Sequence, residues 1–354
     1  MGTDCSGGDA PIMGLQAVQL PYGFRHLFSS EVDAKKRSFL KANFPGVVVH
    51  HDMLKRDHAQ LPHIDMYVCG FPCKPFSRLH VRSKGFREKQ ARPFRAVIKT
   101  LSAKLPVIAV LENVSGLRTH MAKVHRALAS IRWYEILTMT IDPYEMGEPV
   151  RRQRIYFVLI RVDVAVAHDI KLDEHAQALT AVGLCSHCTE PARRMLPNDS
   201  TEVRKYMTTL AGKRCAYHPA TSQGRQPKWR TDHQGLRSVH LARPVLGLGA
   251  RQTEILGIKL AEEGLADLTA KANVDTSQSL TIARCTPYVP TITPGGRIVV
   301  GQLRRLVIPI EKCLLNAIPV HDLHWPSGST DKTIADLGGN TMHLFAVHSR
   351  ERTC

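Results

Sequence analysis

The sequence predicts an α/β fold, a mostly parallel, doubly wound sheet joined to a second, smaller and irregular domain. Three observations carry that expectation. Short apolar runs alternate with amphipathic stretches over the first 168 residues, the pattern of strands linked by crossover helices. After about Asp169 the pattern changes: Gly, Pro, Ser, Thr, Asn and His become frequent and strands are hard to place. The chain has 354 residues, of which 43% are hydrophobic, enough to bury a large core without metal or disulfide support.

The first expected strand is short, Met1 to Asp4, and runs into SGG at Ser6 to Gly8, where absent side chains let the backbone approach a ligand closely. A second strand, His26 to Ser29, leads to Glu31, which follows Gly8 by about the 20 residues expected of a ribose-binding carboxylate. A helical pattern covers Asp33 to Asn43, and a third strand covers Gly46 to His50. Just beyond it, Asp52 could accept from an adenine amino group or cap a helix. The fourth strand, Met66 to Cys69, ends in GFPCKPFS, where Gly70, Pro72 and Pro75 force a rigid turn that holds Cys73 at the strand's carboxyl edge. A helix at Phe94 to Leu105 and strands at Val107 to Leu111, Ile136 to Ile141 and Ile155 to Arg161 complete the first part. Regular signals return late, with a strand at Gly296 to Val300, a helix around Ile310 to Asn316 and a last strand near Met342 to His348. The expected domains are residues 1–168, an irregular 169–289, and 290–354 returning to the first.

Lysine and arginine (48) exceed aspartate and glutamate (31), a net charge of +17 that favours a polyanionic partner through counterion release. Nucleic acid leads that class. The stretch Arg78 to Lys104 is strongly basic and holds one acid, Glu88; it is either a solvated helix face or a phosphate-gripping loop. Nine cysteines without secretory flanks fit a reducing compartment, and no basic segment followed by an apolar one opens the chain, so no secretion signal is expected. Apolar stretches such as Pro106 to Leu111 fall short of the roughly 20 residues of a membrane span. The expected compartment is the nucleus in a eukaryote or the nucleoid-bearing cytoplasm in a bacterium.

Cys73, framed by prolines on both sides, is a candidate nucleophile; a packed small residue is the commoner fate of cysteine. In AVLENVSGL, Glu112 ends an apolar run and becomes a general acid if it neighbours Cys73, or a simple salt-bridge partner if it does not. In PVRRQRIYFVLI, Arg152 and Arg154 share one face before a strand, where either could fix a carbonyl oxygen or a phosphate. Cys185 and Cys188 form a CxxC, and Cys215 with His218 a CxxH, a set compatible with a tetrahedral zinc; free thiols in a reducing cell are the alternative.

Together, Cys73 in GFPCKPFS, Glu112 in LENV, the Arg152/Arg154 pair before IYFV and GGNTMHL at Gly338 to Leu344 resemble the C5-cytosine-specific DNA methyltransferase family. Order and spacing match, and the likeness runs through PTITPGGR and IPIEKCLLNAIP over almost the whole chain. It implies a Rossmann-like class I methyltransferase sheet carrying S-adenosyl-L-methionine, a smaller target-recognition domain, and a monomer acting on double-stranded DNA. By resemblance, Cys73 adds to C6 of a flipped-out cytosine, Glu112 contacts N3, and Arg154, with Arg152 beside it, holds O2. Ser6, Gly7, Gly8, Glu31, Val32, Asp52, Met53, Pro72, Asn340 and Thr341 match the cofactor contacts.

The sequence also departs from the family. Asp9 and Ala10 stand where two loop glycines are expected, and with the short first strand this implies a shortened chain or a divergent loop. Val150 replaces a glutamine, Lys74 another, and Leu314 an arginine. Two other readings stay open: a tRNA cytosine-C5 methyltransferase, disfavoured by Phe76-Ser77 where that branch has Phe-Thr, and a catalytically silent nucleic-acid-binding scaffold, disfavoured by the intact Cys73, Glu112 and Arg154.

Overall fold

Seven strands form the principal sheet of the computed structural model, which describes residues 1–18, 23–77, 83–174, 190–215, 233–243, 245 and 247–344. The elements in chain order are β1 (Gly2–Asp4), α1 (Ala10–Val18), β2 (Phe28–Ser30), α2 (Ala34–Asn43), β3 (Val48–His50), β4 (Met66–Gly70), α3 (Pro93–Lys104), β5 (Ile108–Val114), α4 (Met121–Ala129), β6 (Tyr134–Ile141), β7 (Arg154–Arg161) and α5 (Val162–Ala167). Later come α6 (Thr201–Cys215), α7 (Ala250–Glu262), β8 (Val274–Asp275), β9 (Ile298–Val300), β10 (Arg305–Leu306), α8 (Pro309–Leu314) and α9 (Asp331–Asn340).

The strand order is β3-β2-β1-β4-β5-β7-β6, with the first five strands parallel and β7 antiparallel to both its neighbours. This is the α/β architecture the alternation predicts. The order reverses between β1 and β4, so a crevice opens at their carboxyl ends, where such sheets bind ligands. Strand alternation sorts the core into two layers. Tyr67 and Cys69 of β4 face Phe28, Leu101 and Leu111, while Val68 between them faces Ile12, Phe39 and Leu40. The second layer also receives Cys313 of α8 and Leu337 of α9, so the end of the described chain packs onto the face that α1 and α2 cover. Asp33 starts α2 by accepting from the amides of Lys35 and Lys36, satisfying two donors the helix itself cannot.

The irregular stretch, together with the start of the segment 290–354, holds more order than its composition suggests. An antiparallel sheet, β10-β9-β8, packs with α6 and α7 around Met207, Leu256, Val274 and Leu306. Of the expected last strand, residues 342–344 form none, and 345–348 lie outside the described residues. Gly338 and Gly339 instead finish α9 and let it press against its neighbours. A Cβ at Gly338 would come 2.8 Å from the Lys312 carbonyl carbon, and one at Gly339 2.3 Å from the Pro294 nitrogen. No helix among the described residues is long and apolar enough to cross a membrane.

Candidate active site

The crevice collects the carboxyl ends of β1 to β5. β4 delivers Cys73 through the Gly70-Phe71-Pro72 turn, and Cys73 then opens a single 3-10 turn, Lys74–Phe76, closed by Phe76 N donating to Cys73 O at 2.8 Å. The turn is held from two sides. Asn113, fully buried on β5, donates from Nδ2 to Phe71 O at 2.9 Å. Beneath it, Phe71, Phe76, Phe86 and Phe94 stack at centroid distances from 4.8 to 6.2 Å, with His120 at the edge. A Cβ at Gly70 would sit 2.8 Å from Met342 Cε and 3.4 Å from Glu112 Oε2, so any side chain there would push the end of Met342 aside.

β5 is longer than its apolar run suggests because antiparallel β7 pairs with all of Ile108–Val114. Glu112 and Asn113 therefore lie within the strand and not beyond it. Arg154, opposite Val114, reaches diagonally so that its Nε lies 3.1 Å from Glu112 Oε1, both side chains 12% exposed. Cys73 is open to the cleft, yet the surrounding protein pushes its thiol pKa up. Glu112 adds to that rise, and Arg154 and Arg152 work against it. Cys73, Gln153, Arg154, Tyr288, Thr291 and Asn340 are among the walls of a cleft of about 770 Å³.

Arg152 has different partners from Arg154. The two precede and open β7, so strand alternation does not apply between them. Arg152 is 4% exposed and spends its guanidinium on main-chain carbonyls: Ile292 at 3.1 Å, Thr341 at 2.5 Å and Gly339 at 3.4 Å. Its amide donates to Asp142 Oδ1 at 2.9 Å. The residue ties the late chain, at Ile292, Gly339 and Thr341, to the segment that leads into β7.

On the neighbouring strands, Gly7 turns with φ +57 and a Cβ at it would meet nothing within 4 Å. Its amide donates to Glu31 Oε2 at 2.9 Å, while Asp33 N donates to Oε1 at 2.9 Å, so Glu31 is oriented by backbone at the end of β2. Ser6 Oγ accepts from Ser30 N. Val32, 63% exposed, leaves an apolar surface open beside Glu31. Asp52 caps its own turn, accepting from Leu54 N at 2.9 Å. Pro72 is half-buried and Asn340 exposed, whereas Met53 and Thr341 are buried, Met53 within the core layer under β4.

Two buried acids escape the sequence reading. Asp4 is held by both Arg56 nitrogens, with Nη1 2.7 Å from Oδ1, and by Tyr67 OH at 2.6 Å. Asp9, with φ +56 at the start of α1, turns its carboxyl inward to Thr3 Oγ1 at 2.6 Å and Ser29 Oγ at 2.5 Å, with His26 Nε2 at 3.5 Å. Burial pushes Asp9 up to about 7 and His26 down to about 4. Hydroxyls at Thr3 and Ser29 on adjoining strands are the only hint the sequence offers. The zinc set Cys185, Cys188 and His218, with the side chain of Cys215, lies outside the described residues, among which no group of three or more His, Cys, Asp or Glu is placed to hold a metal.

A family model described as C-5 cytosine-specific DNA methylase matches residues 5–242. The chain is 33% identical over 164 residues to the Type II methyltransferase M.NlaX of Neisseria lactamica, a stretch covering 45% of this chain and 51% of that protein. It is 32% identical over 165 residues to the Type II methyltransferase M1.ScrFI of Lactococcus lactis subsp. cremoris, covering 45% and 42%. The chain thus spans about half the length of these relatives. In fold it is similar to the S. pombe Dnmt2 methyltransferase, with a TM-score of 0.55 at 12% identity over 97% of this chain and 94% of that one. The Entamoeba histolytica methyltransferase EhMeth gives 0.53 at 12% identity over 98% and 94%.

Proposed function

The chain belongs to the C-5 cytosine-specific DNA methylase family, and from that premise we propose that it methylates C5 of cytosine in double-stranded DNA, with S-adenosyl-L-methionine as donor. The observation that carries the reading is that Cys73 and Arg154 line one cleft at the carboxyl edge of the sheet, with Glu112 paired to Arg154 behind it and within electrostatic reach of Cys73. Cys73 adds through sulfur to C6, Glu112 contacts N3 and draws electron density from the ring, and Arg154 holds O2. The addition raises electron density at C5, and later loss of the C5 proton expels the cysteine. Both faces of the ring take part, so the base must leave the stack.

S-adenosyl-L-methionine, when bound, supplies the methyl group. The residues at the crevice fit it: Gly7 leaves room for a ligand against the backbone, Glu31 is already oriented to accept from a ribose, and Val32 offers an apolar surface to a purine. Ser6, Gly8, Asp52, Pro72 and Asn340 complete the holding set in this reading. Arg152 acts here as a positioning residue, and the net charge of +17 supports a polyanionic substrate.

The test is covalent capture. Duplex DNA and tRNA carrying 5-fluorocytosine are incubated in parallel with protein and tritiated S-adenosyl-L-methionine; fluorine at C5 blocks the elimination, so a working enzyme stays attached. A DNA adduct that disappears in Cys73→Ser supports the proposal. An adduct on tRNA alone would replace the substrate, and no adduct despite cofactor binding would leave a silent scaffold.

A further inference from the structure

Two cysteines that the proposed reaction does not use, Cys5 and Cys69, share one core layer at the adjoining ends of β1 and β4. Parallel pairing sets Asp4 of β1 opposite Cys69 of β4, so Cys5 is the next residue along. In a regular strand its side chain would leave on the face opposite that of Asp4. A φ of +52 breaks the alternation. Cys5 accordingly packs into the layer that holds Tyr67 and Cys69, not the layer of Val68, and its thiol donates to Met53 Sδ at 3.7 Å. Burial first, and then the Cys5 thiol, raise Cys69 well above the ordinary thiol range, in keeping with the register and the shared layer that set the two residues side by side. Cys5 is half-buried and reachable from solvent; Cys69 is fully enclosed.

We propose that Cys5 and Cys69 are an oxidation site, forming a reversible disulfide with a hydroperoxide as oxidant and thereby displacing the Cys5 to Gly8 turn. The Cys5 thiolate attacks one peroxide oxygen; the O–O bond breaks, and the departing hydroxide takes a proton, leaving a sulfenic acid. The Cys69 sulfur then attacks the Cys5 sulfur, the S–O bond breaks, and the Cys69 proton leaves with that hydroxyl as water. Two thiols and one hydrogen peroxide give one disulfide and two waters. Bond formation brings the sulfurs to about 2 Å. Cys69 is fixed between β1 and β5, so the movement falls on Cys5 and carries Gly7 away from Glu31.

The experiment treats the whole chain with hydrogen peroxide, digests it without reduction, and locates cross-links by fragmentation, since Cys69 and Cys73 share a tryptic peptide. Expected are a Cys5–Cys69 bond, faster hydrogen exchange at Ser6 to Gly8, reversal of both by dithiothreitol, and loss of both in Cys5→Ser and in Cys69→Ala. Oxidation confined to Cys73, a sulfinic acid at Cys5 without a bond to Cys69, or a bond that leaves exchange unchanged would each overturn the proposal. Resting on the cofactor reading, S-adenosyl-L-methionine affinity should also fall about tenfold on oxidation, the worth of one charge-assisted hydrogen bond. Failure of the reduced protein to bind it counts against that reading alone, because cross-link and exchange do not depend on it.

Discussion

Glu112 Oε1 and Arg154 Nε stand 3.1 Å apart across the β5–β7 ladder although the two residues are not register partners; Glu112 faces Tyr156 and Arg154 faces Val114. The diagonal reach leaves Arg154 at the cleft with its charge balanced by Glu112. Groups acting as one unit lose their function together. Arg154→Ala and Glu112→Gln should each lower the single-turnover methylation rate about 10² to 10³-fold, and the double variant should be little worse than either. Losses that multiply in the double variant would show that the pair does not act as a unit.

Arg152 makes a different forecast because its donors go to the chain itself. Arg152→Ala leaves the carbonyls of Ile292, Gly339 and Thr341 without their buried donor, and should cost about 3 kcal/mol or more in urea unfolding. Arg152→Lys should recover only part, since one ammonium cannot reproduce the spread of a planar guanidinium. A variant with wild-type stability and a pure rate defect would return Arg152 to the reacting groups.

What the sequence discloses here follows from how local each signal is. The parallel strands, the Pro-Cys turn and the acid on β5 are readable because apolar runs, prolines and a glycine act within a few residues. Asn113 holding Phe71 O depends on β4 pairing with β5, and the role of Arg152 depends on where residues 292 and 339 to 341 come to rest. Neither is a local property. Asp9 was legible only as a missing glycine; that its carboxyl turns inward follows from hydroxyls on two other elements, at Thr3 and Ser29. The expected last strand near Met342 lies mostly outside the described residues; its described part, residues 342–344, follows α9 without forming a strand.

Cys73 should be a slow nucleophile at neutral pH in the free protein. Burial, and then Glu112, raise its pKa above the ordinary thiol value, and below that pKa the thiolate fraction falls about tenfold per pH unit. Alkylation of Cys73 by iodoacetamide, followed by mass spectrometry at that residue, should rise through pH 7 to 9 without levelling. In Glu112→Gln the curve should shift to lower pH because one of the raising charges is gone. A plateau near neutral pH in the wild type would mean a thiol already activated before substrate arrives.

Asp9 and His26 make stability depend on pH in opposite senses over nearly the same window. Asp9 has a folded pKa raised from 3.8 to about 7, so its contribution is full below about pH 4 and is lost as pH rises through 7. His26 is held down to about 4, so its contribution is full above its ordinary 6.5 and is lost as pH falls through 4. In the wild type the two slopes oppose one another between pH 4 and 7, and a single unfolding curve would hide both. Asp9→Asn removes the first while keeping the shape of the side chain, and Ser29 Oγ, 2.9 Å from His26 Nε2, can redirect its proton there. The variant should therefore gain stability relative to the wild type as pH rises from 4 to 7, by on the order of a few kcal/mol in total, and be the more stable protein above pH 7. Urea unfolding of both proteins at pH 4.5, 6 and 8 measures it; a difference that stays constant across the three would mean the Asp9 carboxyl is ionised throughout and that its two hydroxyl partners outweigh its burial.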